Sequence, residues 1–136
     1  MAKQTYLLDD VLHGRWSRGK SEQDLWRAAE RKKTHTVRMR DVKHWVYAPC
    51  WSYTTNDNEC FYSIYQVLQQ PRRPEFAKDM QRIRAADTAY PLIVVDDPFD
   101  AHGRILDGNH RFAKLVLQGK RTVTIKRITR EEFRQL

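Results

Sequence analysis

The sequence predicts a compact α/β domain, an α+β arrangement with a mixed sheet and flanking helices, on three observations. Residues 34–42 and 122–126 alternate apolar and polar side chains with the period of a half-buried strand: Val37 and Met39 against Thr36, Arg38 and Arg40, then Val123 and Ile125 against Thr122, Thr124 and Lys126. Pro91-Leu92-Ile93-Val94-Val95 is an unbroken apolar run, as expected of a strand buried on both faces. Phe76, Met80 and Ile83 instead recur at i, i+4 and i+7, the apolar stripe of a helix. Both periods within 136 residues, a length that supports one core, point to helices packed on a single sheet.

In chain order, Leu7, Leu8, Val11 and Leu12 have helical spacing, which Gly14 and Gly19 interrupt. Ser21 with Asp24 resembles a capping box. It would open a helix over 21–33 with Leu25, Trp26 and Ala29 on one side. Arg31, Lys32 and Lys33 at its end suit the helix dipole. Residues 1–33 thus read as a basic helical extension, and 34–136 as the main domain. After the strand at 34–42, the aromatics Trp45, Tyr47, Trp51, Tyr53, Phe61, Tyr62 and Tyr65 supply large core side chains, with stacking on a base as the alternative. Thr54-Thr55-Asn56-Asp57-Asn58 reads as a loop, and Ser63–Gln70 as a short helix broken by Pro71 and Pro74. Pro74 suits the first turn of a helix over 74–86. The strand at 91–95 leads into a turn over 96–103, where Asp96 and Asp97 serve the turn, and then a short strand at 104–106. A helix over 108–118 follows, with Phe112, Leu115 and Val116 inward and Gly119 as its stop. After the strand at 122–126, Thr129 and Glu132 form a capping box for a final helix.

Composition narrows the partners. No apolar run approaches the roughly 18–20 residues of a membrane span, and the first ten residues lack a signal peptide's apolar core, so no membrane partner and a cytoplasmic location are expected. Cys50 and Cys60 lack C-x-x-C spacing and are expected as reduced thiols. The net charge of +8 divides as +5 over residues 1–40, zero over 41–90 and +3 over 91–136. Such a balance favours a polyanionic partner, such as nucleic acid, a nucleotide or an acidic protein. Arg31, Lys32, Lys33, Arg38 and Arg40 are the candidate nucleic-acid contacts, although a solvated helix end and strand face explain them nearly as well. His102 and His110 lack a third ligand at suitable spacing, so no dedicated metal site is expected.

The chemistry concentrates in Asp107-Gly108-Asn109-His110-Arg111, where a predicted strand meets a predicted helix. First-turn N–H groups of a helix lack internal partners, and with the helix dipole they attract anions. Gly108 allows close approach to the backbone. Arg111 can grip a phosphate with two parallel hydrogen bonds, His110 can move a proton near neutral pH, and Asn109 donates and accepts. Local chemistry favours Asp107 as the N-cap over a base or metal contact.

The stretch Tyr90–Val95, then Ile105–Lys114 with its Asp-Gly-Asn-His-Arg core, then Gly119 and Val123-Thr124-Ile125, resembles the ParB/sulfiredoxin superfamily, most closely its small Asp-Gly-x-His-Arg variants. Arg82 to Asp87 resembles the superfamily too. The likeness is close over 79–127 and loose over 34–130. It implies a nucleotide-binding domain, such as a small phosphotransferase or NTP hydrolase, using a nucleoside tri- or diphosphate with Mg²⁺. It places Gly108, Asn109, His110 and Arg111 in contact with phosphate, gives Asp107, His110 and Arg111 catalytic roles, and adds Arg82 and Asp87 to the site. Asp57 and Glu59 lie where kinase-like relatives carry acidic groups. Asn109 stands where sulfiredoxin has its cysteine, which argues against sulfinic acid reduction. Asn-His-Arg replaces the Glu-Arg-Arg of ParB proteins, and no helix-turn-helix follows, which argues against chromosome partitioning. The alternatives are a basic nucleic-acid-binding module or ParB-like nuclease, and a non-catalytic binder of a partner protein.

Overall fold

The computed structural model describes residues 22–136, so Ser21 and the apolar residues read between Leu7 and Leu12 lie outside the described residues. Its elements are α1 (Glu22–Ala29), β1 (His35–Arg38), α2 (Met39–Val42), a 3₁₀ turn (Lys43–Tyr47), β2 (Pro49–Thr55), β3 (Asn58–Ser63), α3 (Ile64–Gln69), a second 3₁₀ turn (Pro74–Phe76), α4 (Ala77–Ala85), β4 (Leu92–Asp97), β5 (Asp100–Asp107), α5 (Asn109–Leu117), β6 (Thr122–Ile128) and α6 (Arg130–Arg134). The expected α+β class holds. Four strands form one mixed sheet in the order β1-β6-β4-β5, with β6 and β4 parallel and both outer pairs antiparallel, and β2 and β3 form a separate hairpin.

β4 explains why the sheet has two covered faces. Leu92 and Val94 point into one core with Ile105, Phe112, Val123 and Ile125, which also takes in Trp45, Tyr62, Ile64, Phe76 and Ile83. Ile93 and Val95 point the other way, into a second core with Leu106, Ile128, Leu25, Ala29 and Phe133. Successive strand residues face opposite sides, so a central strand covered twice must be apolar throughout. The segment read as an extension therefore contributes α1 to the second core, where Leu25 is fully buried. Burying such a side chain stabilises the fold by about 1.5–3 kcal/mol.

Several expected boundaries move. The alternation over 34–42 is strand only to Arg38; Met39 begins α2 and stays buried. The turn expected over 96–103 is mostly strand, because β4 and β5 form a tight hairpin that pairs Asp97 with Asp100. Asp97 does serve the turn, accepting from the Phe99 N–H at 2.8 Å. The loop at 54–58 is the tip of the β2–β3 hairpin, with Asn56 and Asp57 both at positive φ, the backbone of a primed two-residue turn. The expected capping box at Thr129/Glu132 forms and starts α6, and the structure adds one that the sequence reading did not name, Ser63/Gln66 at the start of α3.

Candidate functional site

β5 ends at Asp107 and α5 starts at Asn109, which leaves one residue to turn the chain. Gly108 takes it at φ 112°. A Cβ there would lie 2.6 Å from Leu92 Cδ2 at a φ that strains any side chain, so a substitution would have to displace Leu92 and carry backbone strain. Gly108 is also the N-cap of α5, and no side chain caps that helix. This corrects the capping role read for Asp107. Its carboxylate instead accepts from Arg111 Nη2 at 2.9 Å, one helical turn on. Arg111 Nη1 donates to the Pro91 carbonyl at 2.8 Å, and Trp26 of α1 lies under the guanidinium at 5.5 Å. Arg111 thus ties the start of α5 to the entry of β4 and to α1. Tyr90 meets Trp26 edge-on at 6.1 Å.

His110 is held on its other side. Its ring stacks on Trp51 of β2 with centroids 4.6 Å apart, and its Nε2 lies 3.0 Å from Asp79 Oδ1 of α4. Asp79 is only 6% exposed, and its second oxygen accepts from the Tyr62 hydroxyl of β3. Buried carboxylates survive only when hydrogen-bonded or paired; Asp79 has both partners. Burial, then the bond to Asp79 and its charge, hold the Tyr62 phenol well above its ordinary range, so it stays a donor. Burial and the charge of Asp79 likewise push the Cys50 thiol up. A thiol shifted in that direction carries little thiolate at neutral pH.

These residues surround a cleft of about 640 Å³. Asp107 to Arg111 form its floor, Arg82 and Asp87 one wall, and Trp26, Trp51 and Tyr90 supply aromatic surface. Lys114 fixes the position of that wall by donating to the Arg84 and Ala86 carbonyls, both at 2.8 Å. The first helical bond of α5 is Phe112 N–H to the Gly108 carbonyl at 2.8 Å, so the amides of Asn109, His110 and Arg111 precede it at the helix start.

The motif residues, Arg82 and Asp87 are thus brought together. Asp87 makes no hydrogen bond or ion pair with Arg111 or His110; its Oδ1 accepts from the Ala89 N–H at 2.9 Å and shapes the turn. The basic cluster lies apart from the cleft lining: Lys32 pairs with Glu132 at 2.7 Å and Arg38 with Asp41 at 2.9 Å, while Arg31, Lys33 and Arg40 are exposed. Glu59 accepts from Ser52 on the exposed hairpin, and Asp57 sits at its tip.

The sequence did not mark Asp79 or Trp26 as site residues, and it favoured the core over base stacking for Trp51 and Tyr62. Only Asp79 carried a local signal: it lies three residues after Phe76 and four before Ile83, a carboxylate on the apolar stripe of its helix. Among the described residues no group of three or more His, Cys, Asp or Glu side chains is arranged to hold a metal ion. Asp79 has both oxygens engaged, by His110 and Tyr62, whereas Asp107 and Asp87 each have one oxygen in a hydrogen bond, to Arg111 and to the Ala89 N–H. The cleft oxygens left to approach a cation are the second oxygens of Asp107 and Asp87 and the side-chain oxygen of Asn109. Both described cysteines are free thiols, and no helix among the described residues is long and apolar enough to cross a membrane. No protein-family model, curated protein or solved structure matches the chain.

Proposed function

We propose that the chain is a ParB/sulfiredoxin-like cytoplasmic protein whose cleft binds a nucleotide through its phosphates, with Mg²⁺, as a small phosphotransferase or NTP hydrolase. One observation carries this reading: the start of α5 opens, past a glycine whose backbone is left-handed and crowded by Leu92, onto a 640 Å³ cleft beside the exposed Arg82. Helix-start amides and a guanidinium recognise phosphate oxygens, and the aromatic walls suit a base. The geometry modifies the roles expected of the motif. Arg111 holds the floor rather than offering a free two-pronged grip, so phosphate contact falls on the amides of Gly108 to His110 and on Arg82. Asp107 orients Arg111. Catalysis would rest on positioning and charge stabilisation. Isothermal titration with ATP, ADP, CTP and GTP in the presence of Mg²⁺ tests the proposal: saturable binding of at least one is expected, and silence for all four would sink it.

A second reading has its own support. The +8 charge and the exposed Arg31, Lys33 and Arg40, which make no ion pair among the described residues, suit a nucleic-acid partner. It predicts DNA or RNA binding that weakens steeply with salt. Weak binding that ignores salt would count against it.

A further inference from the structure

We propose that Asp79 is a positioning residue that fixes His110 as its Nε2–H tautomer and leaves Nδ1 as the proton acceptor in the cleft. Asp79 is a carboxylate buried on the apolar stripe of α4, beside Met80 and Ile83. An ionised carboxylate only accepts hydrogen bonds. Its Oδ2 is taken by the Tyr62 hydroxyl, and its Oδ1 lies 3.0 Å from His110 Nε2. A neutral imidazole meeting that oxygen must present a proton on Nε2, so its lone pair resides on Nδ1. Trp51, stacked on the ring at 4.6 Å with planes 19° apart, holds its plane, and a half-turn within that plane would put Cε1 in place of Nε2 against Asp79 and lose the hydrogen bond. The Asp79 side chain is 8% exposed and that of His110 25% exposed, so the carboxylate end of the chain is dry and the imidazole end meets the cleft.

The use of this arrangement rests on the cleft holding a phosphorylated ligand; its geometry does not. In that setting a water or hydroxyl nucleophile gives its proton to His110 Nδ1 as its oxygen bonds to the terminal phosphorus. The bond from that phosphorus to the bridging oxygen breaks, and the electron pair leaves with the nucleoside phosphate. Asp79 stabilises the imidazolium formed, which then releases its proton to solvent. Tyr62 keeps Asp79 from rotating away. The other ionisable groups lining the cleft are Cys50 on β2, Arg82 on α4, Asp87 and Tyr90 between α4 and β4, and Asp107 and Arg111 around the start of α5. None of these six has a hydrogen bond to the imidazole among the described contacts, which leaves Asp79 to set its tautomer.

The test is ¹⁵N NMR of histidine-labelled native protein near pH 8, about 1.5 units above the ordinary imidazole value, with the His110 signals assigned by their loss in His110→Gln. The expected spectrum shows a proton-bearing Nε2 and a bare Nδ1. Asp79→Asn should invert the pattern: the Tyr62 hydroxyl faces the new amide's oxygen, its NH₂ then donates to Nε2, and the proton moves to Nδ1. Nδ1–H in the native protein, a doubly protonated ring at that pH, or an unchanged tautomer in a folded Asp79→Asn variant would each overturn the proposal. The native spectrum decides alone if that variant does not fold. Because no nucleotide is added, failure here is separable from failure of the binding reading.

Discussion

Gly108 shows how one residue sets the site. Gly108→Ala places a methyl 2.6 Å from Leu92 Cδ2 at a φ of 112°, which should cost about 1–3 kcal/mol of stability, read by urea denaturation. An unchanged midpoint would mean the turn is more forgiving than this geometry allows. Cys50 offers a second residue-scale prediction. Burial and the charge of Asp79 hold its thiol above its ordinary range, so iodoacetamide at neutral pH should leave Cys50 unmodified in the folded protein and label it after unfolding. Peptide mass mapping before and after denaturant checks this; rapid native labelling would contradict it. At this scale the sequence was legible where chemistry is local. The motif's residue types and its place at a strand-to-helix junction could be read directly. The role of Asp107 could not. Capping and an i,i+4 pair with Arg111 are both available to an Asp there, and the left-handed Gly108, which occupies the cap itself, decides between them.

At the scale of elements, α1 is where sequence and structure part most. Its amphipathic pattern was visible, but not the face of the sheet it covers, because that depends on Ile93, Val95, Leu106 and Ile128 arriving from distant segments. Leu25→Ala should cost about 2–5 kcal/mol, since the side chain is fully buried between α1 and the sheet. It should also weaken any ligand held in the cleft, because the same helix carries Trp26 beneath Arg111. Thermal denaturation and ligand titration of this variant measure the two effects; a stable variant with α1 detached would return this helix to the status of an appendage. The β2–β3 hairpin was missed for a related reason. Its core face carries Trp51, Tyr53 and Tyr62, but Phe61 follows on the opposite face next to Tyr62, so in β3 the alternation that marks a half-buried strand is blurred. Helix α6 was read correctly because its capping box is local. Thr129→Ala removes the side chain that accepts from the Glu132 N–H, with an expected loss of about 1 kcal/mol.

Across the whole molecule, the titrating groups define a window of stability. Burial works to raise the Asp100 carboxyl, but its bond to His44, the His102 N–H and the charges of His44 and Arg104 outweigh it and hold it below its usual range. The Glu132 carboxyl is lowered by Lys32 and the Thr129 N–H. Depressed carboxyls stabilise the fold above their ordinary values, and that contribution fades as pH falls through the folded values. Tyr62 and Cys50 are shifted upward, so their contributions are complete below their ordinary phenol and thiol values and are lost as pH rises beyond them. Melting temperature should therefore be nearly flat between about pH 5 and 8 and fall on both sides; a steady rise toward acid would contradict these assignments.

The central claim is that a phosphorylated ligand seats on the start of α5, and its most direct measurement is a ¹H–¹⁵N NMR titration of the native protein with Mg²⁺-bound ATP, ADP, CTP and GTP. The account predicts that at least one nucleotide shifts the amides of Gly108, Asn109 and His110 saturably, together with the Trp26 and Trp51 indole N–H signals, and that Arg82→Ala weakens the effect. Saturable shifts confined to other surfaces, or none with any nucleotide, would contradict it.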